Sequence, residues 1–166
     1  MTDSLLPPDI VALAERVISE NAAQKRKIVL AESCTGGLVA AALTEIAGSS
    51  AVLDRGFVTY SNEAKMQELS VQSDILEAFG AVSIACVYAM AQGALARCAD
   101  ADVAVAISGV AGPGGGTDKK PVGTVVFARA IRGDKDPVAE LKSFEDNGRA
   151  GVRHQATLVA LDLLLP

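Results

Sequence analysis

The sequence predicts an α/β protein, a three-layer α/β/α sandwich around a mixed, mostly parallel sheet. Three observations carry this expectation. Helical and strand-like apolar stretches alternate through the first two-thirds of the 166 residues. The stretch DVAVAI at 102–107 is continuously apolar, as expected of a strand covered on both faces. After a glycine-rich segment, two strand-like stretches follow with no helix between them, which suits an antiparallel pair at one side of the sheet.

The elements follow in order. Pro7-Pro8-Asp9 opens a helical pattern through Ile18. KIVLA at 27–31 reads as a short buried strand. LVAAALTEIA at 38–47 is rich in Ala and Leu, a helix stopped by Gly48. GFVTY at 56–60 is β-branched and aromatic, hence a strand. Ser61-Asn62 can cap a helix over EAKMQEL, and Asp74 can cap a shorter one over ILEAF. An Ala-rich helix spans 83–98 with Ser83 as its cap, and 102–107 is the central strand. Strands at 123–130 and 138–144 follow the glycine-rich loop, the second at or near an edge. A final amphipathic helix runs from Asn147 or Arg149 to Leu165. No linker or repeat divides the chain, so residues 1–166 are expected to form one domain.

Half of the residues are hydrophobic and aromatics are scarce, so the core is aliphatic. The net charge of -5 argues against a general nucleic-acid binder, yet leaves room for a local cationic pocket for one phosphate. Cys34, Cys86 and Cys98 form no C-x-x-C pair and suit a reducing compartment. No apolar run reaches the roughly 18 residues of a membrane span, and MTDSLLPPDI has no signal-like pattern. These features predict a cytoplasmic location and no membrane partner. His154 is the only histidine, so multi-histidine metal sites are impossible within one chain, and a Ser-His-Asp triad would have to use it. No metal and no cofactor are expected.

The segment KIVLAESCTGG places Ser33, Cys34 and Thr35 where a strand turns into a helix. Ligands collect at the carboxyl ends of strands in such sheets, and the helix start can hold a phosphate or an oxyanion. Ser33 is then a nucleophile, or Ser33 or Thr35 is an ordinary helix cap; Cys34 is a rival nucleophile. A serine needs a base, and Lys65 lies in the first turn of the helix after Tyr60. Burial can free its amine, with Tyr60 relaying a proton or orienting it; the alternative is an exposed helix lysine. The loop SGVAGPGGGT at 108–117 is neither a Walker loop nor a dinucleotide fingerprint. Its glycines suit an anion cradle or a plain hairpin connection. Arg149 and Arg153, four apart on the last helix, can clamp a phosphate or form a solvated face. His154 has apolar neighbours and reads as a structural residue of that helix.

Taken together, AESCTGG (31–37), GSSAVLDRGFVTYSNEAK (48–65), GAVS (80–83), AISGVAGPGGGTDKKPVGTV (106–125) and NGRAGVRHQATLVAL (147–161) resemble the CinA C-terminal domain, the nicotinamide-nucleotide amidohydrolase family. The resemblance spans nearly the whole chain, in order. Ser70 stands where glycine is usual, and Asp146-Asn147-Gly148-Arg149 replaces a compact G-D-R. Larger family members carry an N-terminal domain linked to nucleotide pyrophosphatase activity, which this sequence is expected to lack. The resemblance implies hydrolysis of the carboxamide of nicotinamide mononucleotide by Ser33 and Lys65, with Tyr60 alongside. It implies oxyanion or substrate-binding roles for Thr35, Gly36, Gly37, Ser49, Ser108, Gly112, Gly114, Gly115, Arg149 and Arg153. The partner is then a small nucleotide substrate, and a homo-oligomer is compatible with the sequence. A non-catalytic nucleotide-binding or regulatory module is the alternative; the pairing of Ser33 with Lys65 speaks for the enzyme.

Overall fold

The computed structural model describes residues 4–145 and 147–166. Asp146, in the segment that departs from the family pattern, lies outside them, as do the first three residues of the stretch inspected for a signal. In chain order the elements are α1 (Pro8–Ala23), β1 (Ile28–Glu32), α2 (Leu38–Thr44), β2 (Leu53–Val58), α3 (Asn62–Leu69), α4 (Ser73–Phe79), α5 (Ile84–Arg97), β3 (Val103–Gly109), β4 (Thr124–Ile131), β5 (Val138–Ser143) and α6 (Gly148–Leu163). The strands form one sheet in the order β2-β1-β3-β4-β5. β1 is parallel to both β2 and β3, while β4 runs antiparallel to β3 and to β5. Only β4 therefore opposes the common direction, and the mixed sheet is parallel at its centre.

Strand alternation feeds two cores. Ile28, Leu30, Val103, Val105 and Ile107 join the layer of α1, α2 and α6. Val29, Ala31, Ala104 and Ala106 face the layer of α3, α4 and α5. Small side chains dominate the second face because α5 lies close to it. At Gly93, on the other side of this Ala-rich helix, a Cβ would run into the Leu69 carbonyl at the end of α3.

The expected elements form, with local differences. Ser61 and Ser83 cap α3 and α5, accepting from the N–H groups of Ala64 (3.0 Å) and Cys86 (3.1 Å). Asp74 is not a cap: Gln72 holds that position, and Asp74 accepts from the Ile75 N–H inside the first turn. α2 stops at Thr44, before Gly48, whose positive φ of 89° instead opens a short 3-10 turn, Ser49–Ala51. β2 begins at Leu53, three residues before the apolar GFV, because its pairing with β1 supplies the hydrogen bonds that Asp54 and Arg55 do not advertise. Ser70 ends α3 with φ 57° and ψ 29°, a left-handed conformation that explains why glycine is usual there.

Candidate active site

The site starts from a buried acid. β1 is covered on both faces and ends at Glu32, which is 0% exposed. Past the turn, α2 begins after Gly37, whose φ of 98° suits glycine and whose lack of a side chain leaves the helix start uncapped. The Glu32 carboxylate fills that role. Its Oε1 accepts from the N–H groups of Gly37 (3.2 Å) and Val39 (3.0 Å), and its Oε2 from Ala40 (3.1 Å). Neither Ser33 nor Thr35 caps the helix, which corrects that reading of the triplet and leaves the Ser33 hydroxyl for another partner.

That partner is Lys65, which α3 carries into the interior with 0% exposure. Its Nζ lies 3.0 Å from Ser33 Oγ and donates to the carbonyls of Thr59 (2.7 Å) and Tyr60 (3.2 Å). No carboxylate pairs with it among the described residues. Burial holds the Lys65 amine below the ordinary lysine range, with weaker opposing effects from Cys86 and Cys34. Two carbonyls take two N–H groups, so a neutral amine can turn its lone pair to the serine hydroxyl. Cys34 is a poor rival: burial pushes its thiol up to about 11, so it is protonated at neutral pH.

The expected oxyanion donors rearrange. The Gly36 N–H donates to the Ser33 carbonyl (3.0 Å) and the Gly37 N–H to Glu32, so both are occupied. Among the described residues the Thr35 N–H has no acceptor, and its side-chain Oγ1 is buried without a partner. Arg153 fixes this turn rather than joining Arg149 in a clamp. Its Nε donates to the Cys34 carbonyl (3.0 Å) and its Nη2 to the Thr35 carbonyl (3.2 Å). In a trans peptide the carbonyl and the following N–H point in opposite directions. Holding the Cys34 carbonyl therefore turns the Thr35 N–H away from Arg153.

Arg149 instead borders the cleft. Its Nη1 donates to the Gly112 carbonyl (2.7 Å) and its Nη2 to the Tyr60 hydroxyl (2.8 Å). Tyr60 thus meets Lys65 through its backbone carbonyl, as a residue that orients the lysine would, while its hydroxyl accepts from Arg149. The cleft encloses about 310 Å³ and is lined by Ser33, Cys34, Lys65, Tyr60, Ser108, Gly112, Gly114, Gly115 and Arg149. Ala81 and Val82 line it too. Sequence reasoning assigned them nothing, although GAVS was among the matching segments. Beside them Lys120 Nζ donates to the Phe79 carbonyl (2.6 Å), which ties the β3–β4 loop to the α4–α5 turn, and Val82 packs against the second core.

Two residues stand elsewhere. Ser49 precedes β2 at the amino edge of the sheet, whereas Ser33 follows β1 at the carboxyl edge. A parallel strand of five or six residues, roughly 3.3 Å each, separates the two edges, so Ser49 does not reach the cleft of its own chain. His154 contacts Asp9 Oδ2 (2.7 Å) between α6 and α1, outside the cleft lining. Among the described residues no group of three His, Cys, Asp or Glu side chains could hold a metal ion. No helix among them is long and apolar enough to cross a membrane.

Comparison with known proteins finds relatives over nearly the whole chain. The chain is 50% identical over 165 residues to the nicotinamide-nucleotide amidohydrolase PncC of Escherichia coli K12, covering 99% of this chain and 95% of that one. A CinA-like protein of Akkermansia muciniphila is 51% identical over 129 residues, 78% of this chain and 31% of the relative. The crystal structure of a competence/damage inducible protein from Agrobacterium tumefaciens superposes with a TM-score of 0.93 at 48% identity, covering 97% and 96% of the two chains. The family model of the CinA C-terminal domain matches residues 10–166, and with the identities above it follows that this chain belongs to that family.

Proposed function

We propose that the protein hydrolyses the carboxamide of nicotinamide mononucleotide to nicotinic acid mononucleotide and ammonia, with Ser33 as nucleophile and Lys65 as its base, without a metal ion. The observation that carries this reading is the buried 3.0 Å contact between Lys65 Nζ and Ser33 Oγ at a cleft, with no carboxylate among the described residues to hold the lysine charged. The relative named as a nicotinamide-nucleotide amidohydrolase supports the substrate. Residues 1–166 act as one catalytic unit, and three reduced thiols suit the cytoplasm.

Neutral Lys65 takes the Ser33 proton as Oγ attacks the amide carbon. The Thr35 N–H, aimed by Arg153, stabilises the tetrahedral oxyanion. The Lys65 ammonium, steadied by the Thr59 and Tyr60 carbonyls, returns its proton to the departing amine, and ammonia leaves. Water then attacks the acyl-enzyme, giving its proton to Lys65, and the carboxylic acid is released as Ser33 regains its hydrogen. Arg149 and the Gly112–Gly115 region receive the phosphate, while Ala81 and Val82 supply an apolar wall.

The test is ammonia release from nicotinamide mononucleotide. Ser33→Ala abolishes turnover while substrate binding by calorimetry persists, because only the transition state loses its attacking group. Cys34→Ala retains most activity, and prolonged chelation followed by dialysis changes nothing. An active Ser33→Ala beside a dead Cys34→Ala moves the nucleophile to the neighbour.

A further inference from the structure

The loop between β3 and β4 keeps its N–H groups free. From Ala111 to Gly116 no backbone N–H finds an acceptor among the described residues, and Pro113 has none to offer. Such a segment has no ladder of its own to fix its shape. At its base the loop is closed by bonds from the Val110 N–H to the Thr124 carbonyl (2.8 Å) and from the Gly123 N–H to the Val110 carbonyl (2.9 Å). At its tip Thr117 and Lys120 close a tight turn. The Thr117 N–H donates to the Lys120 carbonyl (2.9 Å), and the Lys120 N–H to Thr117 Oγ1 (3.0 Å). Between base and tip the two limbs touch: a Cβ at Gly112 would lie 2.6 Å from Val122 Cγ1, and one at Gly116 would lie 2.9 Å from the Val122 nitrogen. Whatever holds the returning limb at 120–122 therefore also holds the free N–H groups.

That limb reads Lys-Pro-Val, so Lys120 alone has a side chain able to donate a hydrogen bond. Its Nζ donates to the carbonyl of Phe79, the last residue of α4 (2.6 Å). The receiving turn is firm. The Gly80 N–H donates to the Leu76 carbonyl (2.9 Å), the Gly80 carbonyl accepts from Ser83 Oγ (2.8 Å), and Ser83 caps α5. A Cβ at Gly80 would stand 3.4 Å from Lys120 Nζ, so glycine leaves the amine room to approach.

A cation over the last carbonyls of a helix is a common cap, and taken alone Lys120 would serve only α4. Its surroundings point further. Ala81 and Val82, on the Phe79 side of the bond, and Gly112, Gly114 and Gly115, on the Lys120 side, all line one cleft, whereas Lys120 does not. The bond joins, from outside the cleft, the turn and the loop that bound it.

We propose that Lys120 is a positioning residue for substrate phosphate: it fastens the glycine-rich loop to the α4–α5 turn and so orders the free N–H groups of 111–116 before the substrate arrives. This rests on the phosphate-binding role proposed for the Gly112–Gly115 region. A loop already ordered loses less freedom on binding. Ser33 and Lys65 stand on other elements, β1 with its turn and α3, so the tie serves binding and not the chemical step.

Steady-state ammonia release from nicotinamide mononucleotide, together with amide hydrogen exchange of the ligand-free chain, tests it. Lys120→Met keeps the unbranched stem and removes the donor. It raises KM about tenfold or more and leaves kcat within about threefold, as loss of uniform binding does. Lys120→Arg still donates to the Phe79 carbonyl and returns KM to within about threefold of native. In the ligand-free Lys120→Met chain the Thr117 and Gly123 amides exchange about tenfold or more faster than in the native chain. A Lys120→Met chain that melts earlier yet keeps the native KM assigns Lys120 to the end of α4 alone and overturns the proposal. So does native exchange at Thr117 and Gly123, a kcat that falls as far as KM rises, or a Lys120→Arg chain no better than Lys120→Met. A native chain that releases no ammonia tells instead against the reading of the site, and the exchange rates then decide the tie by themselves.

Discussion

Lys65 decides what the site can do. A lysine at its reference pKa of about 10.4 is a poor base at neutral pH. Here burial favours the uncharged form, and no acid restores the charge among the described residues. Catalysis needs the neutral amine, and the neutral fraction grows with pH. kcat/KM therefore rises through a single acid limb whose midpoint lies below the ordinary lysine value, and falls as the pH drops through it. Lys65→Ala loses about a thousandfold or more in kcat, and Lys65→Arg does not recover it because a guanidinium stays protonated. His154→Ala costs little, since that ring contacts Asp9 between two helices. Steady-state ammonia release by folded variants across a pH series checks all of this. An active Lys65→Ala beside a dead His154→Ala replaces the Ser/Lys reading with a Ser/His one.

At the scale of elements, what local pattern could show was legible, and what depended on neighbours was not. Ser61 and Ser83 cap their helices as serines before helical runs do. The role of Glu32 escaped notice because the N–H groups it accepts from belong to a helix five to eight residues on, brought back by the turn at Gly36 and Gly37. The one available signal was an acid closing an otherwise apolar strand just before a glycine pair. Ser33 and Lys65 were legible because each follows a strand whose carboxyl end had to face the same edge. Ser49 was assigned by resemblance of segments, which says nothing of the end of the sheet at which a residue stands. Gly93 separates propensity from packing most sharply. By helix propensity alone, Gly93→Ala in the interior of α5 gains about 1 kcal/mol. The contact with the Leu69 carbonyl reverses the sign: the added methyl must push α3 from α5, and overpacking of this kind costs about 1–3 kcal/mol. Denaturant unfolding measures it, and a stabilised variant contradicts the close packing of these helices.

The whole molecule sets the electrostatic terms of recognition. With 20 acidic and 15 basic residues the chain repels polyanions at long range, so one phosphate must be held by local chemistry. The cleft supplies that from three distant parts of the chain: the β3–β4 loop, Tyr60 after β2, and Arg149 at the start of α6. Arg149 is braced before any ligand arrives, by the Gly112 carbonyl on one nitrogen and the Tyr60 hydroxyl on the other. A braced guanidinium loses little freedom on binding, which favours a phosphate contact over a merely solvated charge. A charge-assisted hydrogen bond is worth about 1.5–3 kcal/mol, roughly ten- to a hundredfold in kcat/KM. Native enzyme therefore prefers nicotinamide mononucleotide to the riboside, which lacks the phosphate. Arg149→Ala lowers kcat/KM for the mononucleotide by about that factor while leaving the riboside within about threefold, so most of the preference disappears. Comparing the two substrates on the two enzymes isolates the phosphate contact from any general damage to the cleft. Equal losses for mononucleotide and riboside assign Arg149 to holding Tyr60 and the glycine-rich loop in place, and move the phosphate to another donor.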